Sequence, residues 1–300
     1  MITYLFSILA LVSIAGIVAL ALNLQWGLGG MVNFGLFGFY MLGAYLCALF
    51  VQGGGNPWLG VLLAVMGCAV ASALVSLISI RLADDYLAIV TLGFAECLRM
   101  LITHEEWLTR GSLGIANITR PVAGDAAFTL LALAALGLVF VAMERVARSP
   151  FGRLARALRD DPLVAASLGK NVLALRVRLF ALGGAALGIA GSLHAFYYQY
   201  IDPTQFGPIV TAYAFMAVII GGRGSNRGVL LSAFTVVLLL ESSRFLDDTI
   251  NWLSAAELAA LRLMLIGVAL ILMLIFRPQG MVREYRFATP APARRPQEQP

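Results

Sequence analysis

From Met1 to Ile80 the chain contains no Asp, Glu, Lys, Arg or His. A soluble fold needs charged surface within eighty residues, whereas helices that face lipid do not. Hydrocarbon is therefore the expected solvent for this stretch. The remainder agrees: 60% of the whole chain is hydrophobic and 12% charged, about half the ~25% charged residues of soluble domains.

A helix needs about 20 apolar residues to cross ~30 Å of hydrocarbon. Such stretches lie near 4–22, 31–51, 58–80, 86–103, 126–143, 179–199, 208–222, 229–246 and 260–276. The expected fold is all-α, a polytopic membrane helical bundle of about eight to ten transmembrane helices. The weakest spans are 86–103, which carries charge, and 208–222, which is short. Ala19-Leu20-Ala21 imitates a signal-peptide cleavage site, but the stretch before it lacks a positive n-region, so it is read as a retained helix. Cys47, Cys68 and Cys97 all fall in apolar segments and read as small buried hydrophobes.

Orientation follows from the loops. The loop 144–178 is the most basic, with Arg145, Arg148, Arg153, Arg156, Arg159, Lys170, Arg176 and Arg178. Placing it in the cytoplasm and alternating outward puts Arg81, Arg223, Arg227 and the five arginines from Arg277 onward on the same side. Sixteen basic residues then lie inside, against four outside (Arg110, Arg120, Arg244 and Arg262). The same count places the C-terminus in the cytoplasm, and the N-terminus outside if every earlier span crosses. Residues 1–285 are expected to form one transmembrane domain, and 286–300 a disordered cytoplasmic tail. The positive net charge thus reflects membrane topology and implies no nucleic-acid partner.

One segment does not fit a plain helix. Residues 23–35 hold Asn23, Gln25 and Asn33 among Gly27, Gly29, Gly30 and Gly35. Amides and glycines at membrane depth predict a broken or re-entrant backbone, tolerated only where it is buried in protein or lines a water-filled cavity.

The 144–178 loop carries helix signals of its own. Ser149-Pro150 pairs an N-cap with proline at the first helical position, and Asp161-Pro162 repeats the device. Phe151, Leu154, Ala155 and Leu158 share one face of the first short helix, and Arg153, Arg156 and Arg159 mostly another. Gly169 stands where a terminating glycine belongs. That apolar face needs a cover, either lipid headgroups or a cytoplasmic partner. No G-x-x-x-x-G-K-[ST] motif occurs, so ATP chemistry would have to come from elsewhere. The glycine-rich run Gly221 to Gly228 reads as a tight turn that lets its flanking helices pack closely.

Several stretches, in order, resemble the LivM-type permease family, grouped with the LivH and ribose-type permeases of bacterial ABC importers. They are Asn23-Leu24, Gly27, Gly30, Gly35 and Gly43-Ala44-Tyr45, then Arg81-Leu82 and Asp85 to Glu96, then Gly111 to Ile115. Ser149 to Arg153, Arg159 to Pro162 and Gly169, Gly221-Gly222, Gly224 and Arg277 to Gly280 complete the set. The chain departs from the family pattern at Gly29, at Asn33 and Leu36, at Arg110-Gly111 and at Gly228-Val229.

The resemblance implies a permease subunit for branched-chain or other hydrophobic amino acids in an ABC importer of a bacterial inner membrane. It would pair with a homologous permease, two cytoplasmic ATPases and a periplasmic binding protein. No cofactor would be bound by this chain, since the partner subunits use the ATP. Phe151, Gly152, Arg153, Arg156, Arg159, Asp160, Asp161, Pro162, Ala165 and Gly169 would form the segment that couples to the ATPases. Urea or another small solute is the alternative cargo, and a self-sufficient channel or secondary transporter the alternative class.

Translocation-pathway candidates are Asn23, Gln25, Asn33, Thr91 and Glu96. The amides compete with a bland reading as helix–helix hydrogen bonds. Glu96 and Arg99, spaced i,i+3, compete with a simple ion pair, although a charge at the helix centre costs about 2.5–3.5 kcal/mol on insertion scales. Glu241 and the His194–Tyr200 region read first as residues of the outer interface. His104 and His194, ninety residues apart, make no metal site, and no catalytic constellation stands out.

Overall fold

The computed structural model describes residues 2–78, 84–167 and 169–249, with further positions between 260 and 284. The long helices are α1 (Ile2–Leu22), α2 (Leu36–Gln52), α3 (Pro57–Ile78), α4 (Asp84–His104), α6 (Asp125–Arg148), α9 (Val172–Tyr198), α10 (Pro208–Gly221) and α11 (Asn226–Thr249). Short helices α5 (Glu106–Thr109), α7 (Pro150–Asp160) and α8 (Pro162–Ser167) lie between them. A two-stranded antiparallel pair, β1 (Ile115–Ala116) and β2 (Tyr200–Ile201), joins two loops.

Among the described residues, six helices are long and apolar enough to cross a membrane, and α2 is a shorter apolar helix. The chain is a multi-pass helical membrane protein. On α3 the outer face is as apolar as the inner: Leu62, Met66, Val70 and Leu74 are all more than half exposed. Only lipid or another apolar surface makes such a face tolerable. The expected span 260–276 and the motif residues Arg81-Leu82 lie wholly or partly outside the described residues.

The centre of the bundle is α9, packed on α1, α2 and α3. Without a hydrophobic drive between helices in lipid, close approach of backbones supplies the attraction, and small residues permit it. A Cβ on Gly188 would lie 2.6 Å from the Ala64 carbonyl oxygen, so α9 touches α3 along its backbone. The α10–α11 hairpin uses the same device: a Cβ on Gly221 would sit 2.5 Å from backbone atoms of Gly228 and Val229. The tight turn expected at 221–228 is present, with Gly222 at φ +106° and Gly224 at φ +84°.

The predicted break is real and takes a definite form. α1 widens into a π-helical turn over Asn23–Leu28, and the chain then runs without regular structure to Gly35, passing Gly30 at φ +77°. This backbone is enclosed by protein, and its amides are used: Gly30 donates to the Trp26 carbonyl and Met31 to the Gln25 carbonyl, both at 3.0 Å. Phe34 N–H donates to Thr91 Oγ1 and Phe37 N–H to Thr211 Oγ1, both at 3.2 Å, where the chain enters α2.

The charge expectation also has a structural counterpart. The 149–170 segment, the 222–225 turn and residues 280–284 gather at one end of the bundle, where Met281 and Val282 donate to the Ile220 and Gly221 carbonyls at 2.8 and 3.1 Å. Arg120 lies at the other end, donating to the Phe196 and Tyr197 carbonyls and pairing with Asp125.

Two expectations need correction. Cys97 is exposed, unlike Cys47 and Cys68, because it sits on the outward face of α4. The apolar face of α7 is covered in part by this chain itself: Gly152, Ala155 and Leu158 are buried, and a Cβ on Gly152 would run into the backbone carbonyls of Val146 and Ala147 at the end of α6, while Phe151 and Leu154 are only partly buried.

Candidate functional site

The 149–169 segment holds two capped helices, α7 and α8. Ser149 Oγ accepts the Gly152 N–H at 3.3 Å, and Asp161 Oδ1 accepts from Leu163 and Val164 at 2.8 and 3.1 Å. Each cap contributes about 1 kcal/mol. Gly169, at φ +71°, donates to the Ala166 carbonyl and turns the chain out of α8. Ala165 is buried, while Leu163 is 80% and Val164 53% exposed. Phe151 and Leu154 pack at the edge of the core. Arg153, Asp160, Asp161 and Pro162 are exposed.

The other two arginines of α7 turn inward. Arg156 Nε donates to Glu284 Oε1 at 2.7 Å and its Nη1 to the Ala147 carbonyl at 3.0 Å. Arg159 donates to both oxygens of Glu284, at 3.2 and 3.0 Å, and to the carbonyl of Gly27 at 2.6 Å. The three side chains are only 12%, 16% and 20% exposed. Burial alone would lower the Arg159 pKa; the hydrogen bonds and charge of Glu284, with Asp160 adding to them, outweigh it and leave the guanidinium above its ordinary value.

Arg223, in the α10–α11 turn, stacks 4.8 Å over the Trp26 ring. Burial and the neighbouring Arg159 charge lower its pKa. Polar groups extend this cluster: Asn226 donates to Glu144 Oε2 at 3.0 Å, and Glu144 pairs with Arg148 at 2.6 Å.

The pathway candidates separate into two groups. Asn23, Gln25, Asn33 and Thr91 are wholly buried. Asn23 Oδ1 accepts the Gly224 N–H at 2.9 Å and its Nδ2 donates to Asn226 Oδ1 at 2.8 Å. Gln25 donates to the Phe180 carbonyl at 3.3 Å and accepts from Asn33 at 2.8 Å. Thr91 Oγ1 donates to the Ala88 carbonyl and receives Phe34 N–H. Together they hold the 23–35 break against α4, α9 and the α10–α11 turn. Glu96 stands apart, paired with Arg99 at 2.7 Å and about a third exposed.

A cavity of about 220 Å³ lies between α1, α10 and α11. That is below the ~300–1,000 Å³ of drug-sized sites and suits a solute of amino-acid size. Its walls are apolar (Ile14, Val18, Ala214, Val236 and Val237), and Glu241 lies at its edge, 8% exposed. Tyr40, His194 and Gln205 are among its polar lining residues. Asp202 accepts from Gln205 Nε2 at 2.9 Å, which turns Gln205 Oε1 toward His194 Nε2 at 3.0 Å. An amide oxygen can only accept, so Nε2 carries the proton and Nδ1 accepts from the Tyr40 hydroxyl at 2.6 Å.

None of the five pathway candidates is among the cavity-lining residues. Glu284, Arg223 with Trp26, and the cavity itself went unseen in the sequence. The one available signal was an acid, Glu284, set among arginines on the side where basic residues collect.

The family model described as "Branched-chain amino acid transport system / permease component" matches residues 4–274. The high-affinity branched-chain amino acid transport system permease protein LivM of Salmonella typhimurium is 31% identical over 296 residues, covering 89% of this chain and 67% of that protein. The probable branched-chain amino acid transport permease protein LivM of Methanocaldococcus jannaschii is 28% identical, covering 91% and 92%. A second Salmonella typhimurium permease protein of the high-affinity branched-chain system, LivH, is 26% identical over 72% of this chain and 77% of its own.

Proposed function

Because the chain belongs to the family of permease components of branched-chain amino acid transport systems, we propose that it forms the membrane pathway of an ATP-driven importer of branched-chain or other hydrophobic amino acids. It works beside a homologous permease, with two ATPases on its arginine-rich side and a periplasmic protein delivering substrate. In a bacterial inner membrane, the 149–170 segment and the C-terminus face the cytoplasm. The chain itself binds no cofactor; ATP is hydrolysed by the partner ATPases.

The observation that carries this reading is the α7–α8 pair. Leu163 and Val164 stand exposed at the arginine-rich end, on a platform fixed from beneath by capping and partly buried ion pairs. Two exposed apolar side chains on a packed base suit a protein groove better than the headgroup layer, since α7 has buried much of its own apolar face within the chain. Within that platform, Arg153, Leu163 and Val164 make the docking face. Arg156 and Arg159 pass its position to the membrane segment. Asn23, Gln25, Asn33 and Thr91 hold the break around which the pathway bends, and the apolar cavity receives the substrate side chain.

Uptake into right-side-out vesicles with the cognate binding protein tests the cargo. Labelled leucine should accumulate and be displaced by isoleucine and valine. Saturation by urea but not by leucine would replace the amino-acid reading with a small-solute one.

A further inference from the structure

We propose that Glu284 is a positioning residue, the relay through which displacement of α7 reaches the π-helical break at the foot of α1. The inference rests on the importer reading above and names a coupling element within it.

The geometry is specific. Glu284 is held where three elements converge. From α7 it receives Arg156 and Arg159 through three hydrogen bonds of 2.7–3.2 Å. From the α10–α11 turn it is packed against Gly224, where a Cβ would stand 2.6 Å from its carboxyl carbon. To the foot of α1 it connects through Arg159, whose Nη1 binds Glu284 and the Gly27 carbonyl at once, the latter at 2.6 Å. Gly27 lies within the π-helical turn, where the carbonyls at a helix end need partners from outside the helix. Met281 and Val282, just before Glu284, donate to the Ile220 and Gly221 carbonyls and tie the 280–284 segment to the end of α10, which gives Glu284 an attachment separate from α7.

The energetics argue for transmission over adhesion. The net contribution of a partly buried ion pair to stability is often small, because desolvation offsets the Coulomb gain, although removing one partner alone costs more than replacing both. α7 is already attached by Gly152, Ala155 and Leu158, which do not involve Glu284. What the carboxylate adds is direction. Without its charge, Arg156 and Arg159 repel each other and the nearby Arg223, and Arg159 loses the fork that aims it at Gly27. The helix stays in place while its hold on the break slackens. π-helical turns are short, poorly stabilised and common at functional positions, so this one is a suitable element to be moved.

The test uses the assembled transporter, with its partner permease and ATPases, in lipid nanodiscs and proteoliposomes. Glu284→Gln should keep complex yield and binding-protein-stimulated ATP hydrolysis within about twofold of wild type. Leucine transported per ATP should drop by about tenfold, an ordinary size for a coupling effect. Glu284→Asp should recover part of that ratio, and Arg159→Met combined with Glu284→Gln should be no worse than Glu284→Gln alone. An unchanged ratio in Glu284→Gln overturns the proposal. So does a parallel loss of yield, hydrolysis and uptake, which would make Glu284 a brace and nothing more. If the wild-type complex couples neither leucine nor urea uptake to ATP, the importer reading falls and the proposal falls with it.

Discussion

Asn23 uses both ends of its amide, taking the Gly224 N–H and giving to Asn226. Asn23→Leu keeps the volume but strands both partners out of reach of water, and each stranded group costs about 1–3 kcal/mol. The purified chain should then melt at a lower temperature in a fluorescence-based thermal assay, whereas an unchanged midpoint would mean the amide is dispensable. Ser149→Ala removes a local cap worth about 1 kcal/mol, and should raise protease cutting between 149 and 170 while leaving the melting temperature nearly unchanged. These two residues were unequally legible in the sequence. The Ser149 and Asp161 caps could be read because a cap is made with residues two or three positions away. Asn23 could be recognised as out of place in an apolar stretch, but its partners lie two hundred residues downstream, beyond any local pattern.

Long apolar runs made the helices visible, and their glycines hinted at where helices touch. Gly188→Leu drives a side chain into the Ala64 carbonyl and separates α9 from α3, so the variant should lose its single symmetric peak in detergent size-exclusion chromatography. The break at 23–35 was legible as irregular backbone. Its π-helical form was not, since Gly224 and Asn226 help to shape it from another hairpin. The α7 face misled for a similar reason: periodicity reveals that a face is apolar, but not that the end of α6 already covers part of it. The exposed residues of α8 remain as the proposed docking element. Leu163→Asp with Val164→Asp should abolish co-purification of the ATPase subunits while the partner permease stays bound. Retained ATPase would place the docking face elsewhere.

Among the described residues, the 149–170 segment, the 222–225 turn and residues 280–284 bring basic side chains together at one end, and the structure joins them into one assembly. Arginines that would serve to orient the chain in the membrane also join α7, the foot of α1, the α10–α11 turn and the 280–284 segment. Toward the opposite end the hydrogen-bonded His194–Tyr40–Gln205 set lines the apolar cavity, so the cavity and the arginine-rich α7–α8 platform lie toward different ends of one bundle. Such an arrangement predicts transport that depends on energy delivered from the arginine-rich side. The decisive measurement is labelled leucine accumulation in proteoliposomes holding this chain, its partner permease and the ATPases, with loaded binding protein on the substrate side. Accumulation against a gradient should require hydrolysable ATP and should vanish when the ATPases are left out. Leucine flux through this chain without ATP or ATPases would contradict the account.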